Sequence, residues 1–315
     1  MTLIIVECNA LATVQDLGRT GYARFGMPTS GPMDPLALRA ANLLVGNQEN
    51  APGIEIGLGD LTVRAAADCV AALTGAGYDL FVEGSPRPRW MATLIRRGWT
   101  AQLRPNGLGR WAYLGLSGGV LCSIALGARA TYLRGQLGGI EGRSLRGGDS
   151  LSVGEPARPL WTVAGREILN PLQYPDPLTA AVILGPQQDH FTEAGLETFL
   201  TSDYTVSAIS DRMGYRLEGP AIEHARGADI VSDGMLAGCV QVPADGRPLV
   251  MMADGPPTGG YPKIAVVATA DLPLLAQTRR VRFWATTVEA AQARYRALLN
   301  ELRRSVIEPE RQELC

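Results

Sequence analysis

Short runs of β-branched, aliphatic and aromatic residues recur along this chain between glycines and prolines, and their length and punctuation predict strands far more often than helices. Strand-like runs fall at residues 3–6, 61–63, 69–74, 80–82, 111–116, 180–184, 204–209, 238–242, 248–252, 264–267 and 281–284. Helical periodicity is confined to a few places. Asp34 followed by Pro35 is a capping pair that opens a helix running to about Val45, where Gly46 stops it. Further helices are expected at 193–200, at 272–277 and, longest, at 288–307, with Ala291, Tyr295, Leu298 and Leu302 on its apolar face. Its charged end, Glu308 to Glu313, is expected to fray. Strands outnumber helices without regular β-α-β alternation, so the expected class is mainly β with a few helices, built of barrel-like or sandwich units.

Two proline-dense stretches, 155–159 and 170–177, interrupt regular structure and mark a candidate break at 155–178. The 315 residues, 46% of them hydrophobic, suffice for more than one core. A formal charge of −2 offers nothing to draw the chain to nucleic acid or an anionic membrane. No apolar stretch approaches the roughly 18 residues of a membrane span, and Glu7 comes too early for a signal peptide. The five cysteines are scattered without metal or redox spacing, so a reducing cytoplasm is the expected home. With only His190 and His224 available, no metal site is expected.

Charge type matters more than charge balance. Of 29 basic residues a single one, Lys263, is a lysine; the other 28 (29 − 1) are arginines. A compact ammonium differs from a planar guanidinium fork, so its survival beside the loop Asp254-Gly255-Pro256-Pro257-Thr258-Gly259-Gly260-Tyr261-Pro262 marks it as a candidate catalytic cation. Four glycine-rich blocks gather polar groups. They carry Asp16, Arg19 and Ser30 in the first; the run Thr131 to Arg143 in the second; Arg212 and Tyr215 in the third; and Gln241, Asp254, Thr258, Gly259, Gly260 and Tyr261 in the fourth. Glycine lets backbone N–H groups approach an anion, and arginine grips a carboxylate at two points. The same blocks also read as ordinary turns whose Asp and Arg satisfy local backbone. Gly115-Leu116-Ser117-Gly118-Gly119 matches a nucleophile elbow formally but lacks a following helix. The only lysine precedes Ile264, not Ser or Thr, which excludes a P-loop, and no strand-linked G-x-G-x-x-G opens a helix.

Several ordered blocks resemble a known family over about residues 3–285. They are Thr13-Val14-Gln15-Asp16-Leu17-Gly18-Arg19-Thr20-Gly21-Tyr22, Ser30-Gly31-Pro32-Met33-Asp34, Gly185-Pro186-Gln187-Gln188-Asp189, Asp211-Arg212-Met213-Gly214-Tyr215-Arg216-Leu217 and Thr258-Gly259-Gly260-Tyr261-Pro262-Lys263-Ile264. The chain resembles the KipA-like, biotin-dependent carboxyltransferase family, formerly allophanate hydrolase subunit 2. That family includes the C subunit of 5-oxoprolinase and part of the urea carboxylase carboxyltransferase. Pro257 departs from the family, which more often has a hydroxyl residue there. The resemblance implies an N-terminal module at 1–90, a cyclophilin-like β-barrel at 91–290 and a C-terminal helix and tail at 291–315. It implies a subunit of an ATP-dependent 5-oxoprolinase that opens 5-oxo-L-proline to L-glutamate, its partners a KipI-like B subunit plus a LamB/YcsF-like A subunit. In that reading Lys263 and Arg212 converge on one anionic substrate. One alternative is a carboxyltransferase subunit that moves CO₂ from carboxybiotin, carried by another protein, to a urea-like acceptor. Another is a regulatory partner of a KipI-like kinase inhibitor.

Overall fold

Alternation of buried and exposed positions builds the first sheet. In the strand Leu61–Ala65, Leu61, Val63 and Ala65 are buried and Arg64 is exposed. A computed structural model describes residues 1–308, and the chain divides into two compact units. The first comprises Met1–Gly18, Asp34–Gln173 and the chain from Leu299 on; the second comprises Arg19–Met33 and Tyr174–Leu298.

The first unit holds a seven-stranded sheet, ordered Val120–Leu121, Ser150–Val153, Thr2–Cys8, Leu61–Ala65, Thr100–Pro105, Tyr78–Val82 and Ser85–Arg87. A five-stranded sheet, ordered Leu11–Gln15, Gly53–Gly57, Trp111–Leu116, Cys69–Gly75 and Ala92–Ile95, shares its core through residues such as Leu3, Ile5, Ile54, Leu73 and Leu114. Register sets Thr13, Glu55, Tyr113 and Thr74 side by side across this second sheet. The helix Pro35–Leu44 lies on that polar row. Thr74 donates to the Ala37 carbonyl at 2.7 Å, and the Tyr113 hydroxyl accepts from the Asp34 N–H at 2.7 Å while donating to Glu55 at 2.8 Å. Asp34 caps the helix by accepting from the Ala37 N–H at 2.9 Å. Gly115 permits this close approach, since a Cβ there would fall 2.8 Å from the Ala41 carbonyl oxygen.

The second unit is a closed seven-stranded barrel. Its order is Leu178–Leu184, Lys263–Val267, Cys239–Gln241, Leu249–Met251, Gly214–Glu218, Tyr204–Val206 and Arg280–Ala285, the last pairing parallel with the first. Thr192 caps the helix Glu193–Thr201, whose Phe199 stacks on Phe283 at 4.8 Å beside Tyr204.

The mainly β class and the helices at Pro35–Leu44, Glu193–Thr201 and Leu272–Gln277 follow the sequence reading. The long helix ends at Arg304, and Val306–Ile307 instead pairs with Glu167–Ile168. The fraying expected over Glu308 to Glu313 lies, past Glu308, outside the described residues. A division at residue 90 is corrected: Ala92–Ile95 and Thr100–Pro105 pair with strands from before that point, so separating them would open both sheets. The break falls at Gln173/Tyr174, within the second proline-dense stretch, and the barrel begins only at Leu178. Ser117 is buried and leads into the strand Val120–Leu121, not a helix, so there is no nucleophile elbow.

Burial, then the Glu55 and Asp34 carboxylates, push the Tyr113 phenol upward, which keeps it a neutral donor. Tyr113→Phe removes this link between the sheet and the helix N-terminus; it should lower stability by about 1–3 kcal/mol in urea denaturation.

Candidate functional site

The lone lysine opens the barrel strand Lys263–Val267, where a bulge between Val240 and Gln241 brings Gln241 opposite it. Its side chain is 6% exposed, and its ammonium donates to Asp233 Oδ2 and, at 2.9 Å, to the Gly234 carbonyl. An ammonium has three N–H donors, so one remains available for a further acceptor. Asp233 is half exposed and faces solvent from the other side of the contact. It rides on a two-residue ribbon, Asp233–Gly234 paired with Thr258–Gly259, which Ile230–Gly260 and Met235–Pro257 backbone bonds extend.

Two glutamines complete the surroundings. The Gln187 amide nitrogen donates to Asp233 Oδ2 and its oxygen accepts from the Lys263 backbone N–H, both at 3.3 Å. Gln241 donates to the Tyr261 carbonyl at 3.2 Å and lies against Gly259, where a Cβ would fall 2.4 Å from its amide nitrogen. A side chain at position 259 would therefore displace the Gln241 amide. The hydrogen bond from Lys263, followed by the Gly234 N–H, holds the Asp233 carboxyl below the usual carboxylate range. Chemically, the arrangement sets a cationic donor next to an ionised acceptor at the mouth of the barrel.

Arg212 does not join it, which corrects the expected convergence. Its guanidinium makes a bidentate pair with buried Asp254, Nε to Oδ2 at 2.8 Å and Nη2 to Oδ1 at 3.1 Å, and donates to the Gly31 carbonyl at 2.7 Å. Strand register explains the separation. Arg212 precedes the Gly214–Met251 pairing at one end of the strand Leu249–Met251, whereas Lys263 pairs with Gln241, which pairs with Leu249 at the other end.

The remaining candidates divide between these settings. Arg19 donates to Ser30 at 2.9 Å, and the Ser30 N–H donates to the Ala253 carbonyl, so both buried residues belong to the Arg212–Asp254 cluster that holds the segment Arg19–Met33. Tyr215 is fully buried and donates to the Ala276 carbonyl at 2.8 Å, which makes it core, not ligand-facing. Asp16, in the first unit, spends its carboxylate on the backbone N–H groups of Gly18, Arg129 and Ala130. Thr258, Gly259, Gly260, Tyr261 and Gln241 stay with Lys263.

Sequence reasoning missed Asp233 and underused Gln187. The available signals were Ser232-Asp233-Gly234, a turn-forming run, and the position of Gln187 in a family block. Among the described residues no group of three His, Cys, Asp or Glu could hold a metal ion, and no helix is long and apolar enough to cross a membrane.

Comparison with known proteins places the chain in a family. Residues 25–284 match the family described as carboxyltransferase domain, subdomain A and B, and the chain belongs to that family. Among curated relatives, it is similar to the C subunit of 5-oxoprolinase from Haemophilus influenzae, 37% identical over 311 residues that cover 96% of this chain and 98% of that protein. The C subunit of the Escherichia coli 5-oxoprolinase is 38% identical, covering 87% of each chain. The solved urea amidolyase of K. lactis superposes with a TM-score of 0.89 at 28% identity, over 96% of this chain but only 20% of that one.

Breaking a buried pair leaves an uncompensated charge, so Arg212→Ala should destabilise the chain by about 3–5 kcal/mol in chemical denaturation. Arg226→Ala, at the exposed pair with Asp189, should cost about 0–1 kcal/mol. A second prediction concerns titration. Asp233 has a depressed folded value, so its contribution is present above the ordinary carboxylate range and is lost as pH falls through that depressed value. In Lys263→Met, carboxyl NMR should show the Asp233 midpoint moved upward toward the ordinary range.

Proposed function

We propose that this chain is a subunit of a 5-oxoprolinase in which Lys263 and Asp233 bind the lactam edge of 5-oxo-L-proline. The observation that carries this reading is the contact between a buried ammonium with one free donor and a half-exposed carboxylate. In a five-membered lactam the C=O and N–H are cis and lie on one edge. The third Lys263 N–H can meet the carbonyl oxygen while Asp233 accepts from the ring N–H. A lactam resists water because nitrogen donates into its carbonyl, so placing positive charge at the oxygen draws electron density away from the carbon. The low Asp233 titration range suits an acceptor that stays ionised, not a proton-abstracting base. Gln187 fixes the carboxylate from its other side, and the Gln241–Gly259 packing fixes the ribbon that carries it.

ATP would supply the phosphorylation that activates the lactam oxygen. The one lysine of this chain pairs with Asp233 and does not precede Ser or Thr, so a P-loop is not the form the nucleotide site takes here. In this reading ATP is bound by the assembled complex, with no subunit singled out. The proposed partners, in the cytoplasm, are a KipI-like B subunit plus a LamB/YcsF-like A subunit. The family itself favours a second reading, a carboxyltransferase half, because the ureido edge of carboxybiotin offers the same cis donor and acceptor. Biotin would then arrive on another protein, as Lys263 is buried and is the only lysine.

Reconstituted with those partners, the chain should support ATP-dependent glutamate release from 5-oxoproline. A charge-assisted hydrogen bond contributes about 1.5–3 kcal/mol, so Lys263→Ala and Asp233→Asn should each lower turnover at least about tenfold. Full activity in Lys263→Ala would overturn the assignment. Carboxybiotin-dependent transfer without glutamate release would select the second reading.

A further inference from the structure

A ligand that is to meet Lys263 has no direct way in. The ammonium is covered by the ribbon whose Asp233 and Gly234 accept from it, and only 6% of the lysine side chain is exposed. The cover itself is thin. Within residues 227–234, Ala228 and Ile230 are half-buried and the rest are exposed, Val231 to 93%. Among the described residues, this arm makes no backbone–backbone hydrogen bond to a barrel strand. The Ile230 N–H donates to the Gly260 carbonyl at 2.8 Å, and Asp233 and Gly234 pair with Gly259 and Thr258. Those bonds join the two arms of the ribbon to each other, so the arms can move as one piece.

The ends of both arms are fixed instead. Before the first, the Ala225 N–H donates to the His190 carbonyl at 2.7 Å, and a His224 ring nitrogen contacts the Val242 carbonyl at 3.0 Å. After it, Met235 is buried against Cys239 and Met251 of the barrel. The second arm runs from Asp254, whose N–H donates to the Arg212 carbonyl at 2.8 Å, to Pro262, whose carbonyl accepts from the Val242 N–H at 3.2 Å. Between these anchors the ribbon is held down by Lys263 and Gln187 on Asp233, Lys263 on the Gly234 carbonyl, and Gln241 against Gly259. Opening returns these polar groups to water, which replaces the bonds lost. Segments with few buried apolar contacts and exposed backbone bonds open at far lower free energy than the whole fold.

Two glycines fit such a motion. Gly234 and Gly260 lie outside the left-handed region; a Cβ at Gly234 would meet nothing within 4 Å, and at Gly260 nothing nearer than 3.7 Å. Neither the backbone seen here nor its surroundings require glycine at either place, whereas a ribbon with a second position gains from the wider conformational range. We propose that residues 227–234 and 256–260 form a gate, which opens about its anchored ends, admits the ligand to Lys263 and recloses on it. The identity of that ligand rests on the 5-oxoprolinase reading. The gate itself rests on the burial of the ammonium beneath a weakly held cover.

Because the chain has one lysine, opening can be read as the rate at which an amine-acetylating reagent modifies Lys263 in the full chain, scored on the peptide that contains it. A free peptide of the same local sequence supplies the rate without a gate. Native labelling should be at least about tenfold slower than in that peptide. It should also stay level as urea is raised below the unfolding transition, since a small ribbon exposes little surface and whole-chain unfolding exposes much. Gly234→Ala and Gly260→Ala restrict the chain without a clash, so each should slow labelling about two- to fivefold and leave the urea midpoint no lower. Labelling as fast as in the free peptide, labelling that climbs with urea as whole-chain unfolding does, or unchanged rates in both alanine variants would overturn the proposal. The readout needs no substrate, so the gate and the enzymatic reading fail separately. A slow, level rate in a chain whose complex releases no glutamate keeps the gate. Glutamate release beside labelling that tracks whole-chain unfolding removes it and keeps the enzyme.

Discussion

A buried ammonium must be hydrogen-bonded or it destabilises the fold that buries it, and this requirement organises the mouth of the barrel. Lys263 is sheltered by the ribbon of Asp233–Gly234 and Thr258–Gly259, and the ribbon in turn is tied down by Lys263 through a carboxylate and a carbonyl. Arginine at this position would present a wide planar fork in place of one compact charge. Elsewhere the chain uses arginine throughout, at exposed positions and also at the buried Arg19, Arg166 and Arg212.

The opposite end of the same short strands solves a different problem with the other cation. The Arg212 guanidinium meets Asp254 along two parallel bonds and also holds the Gly31 carbonyl, while Arg19 and Ser30 fasten the neighbouring backbone. The segment Arg19–Met33 has little regular structure beyond one turn at Ala23–Phe25, so side-chain bonds replace a hydrogen-bond ladder in keeping it with the barrel unit. One basic residue thus supports architecture, and the other is kept where a ligand can reach its partner.

Much of this was legible from residues alone, and the failures have physical causes. Asp34-Pro35 announced its helix because capping is a local event. Trp111–Leu116 was found as a dense apolar run, whereas Gly53–Gly57 was missed: its alternation, Ile54-Glu55-Ile56, is only three residues long between glycines, and Glu55 is buried with its neighbours. Lys263 was visible through its rarity. Asp233 was not, since it meets Lys263 only after the chain folds back over 30 positions, and nothing in a Ser-Asp-Gly turn indicates that partner. Arg212 stood out for its chemistry, but sequence does not reveal whether a guanidinium is already spent on an internal carboxylate 42 positions away. The division at residue 90 failed for a similar reason, because strand pairing across that point is a long-range fact.

The central claim is that a single ammonium, beside a single carboxylate, is the group that meets the amide. The composition makes it directly measurable. Lysine labelled with nitrogen-15 at Nζ yields one resonance in this chain, with no assignment needed. Titrating the labelled chain, within its complex, with 5-oxoproline should move that resonance to a saturating limit, and Asp233→Asn should abolish the response. A resonance that stays fixed while the complex turns over substrate would contradict the claim.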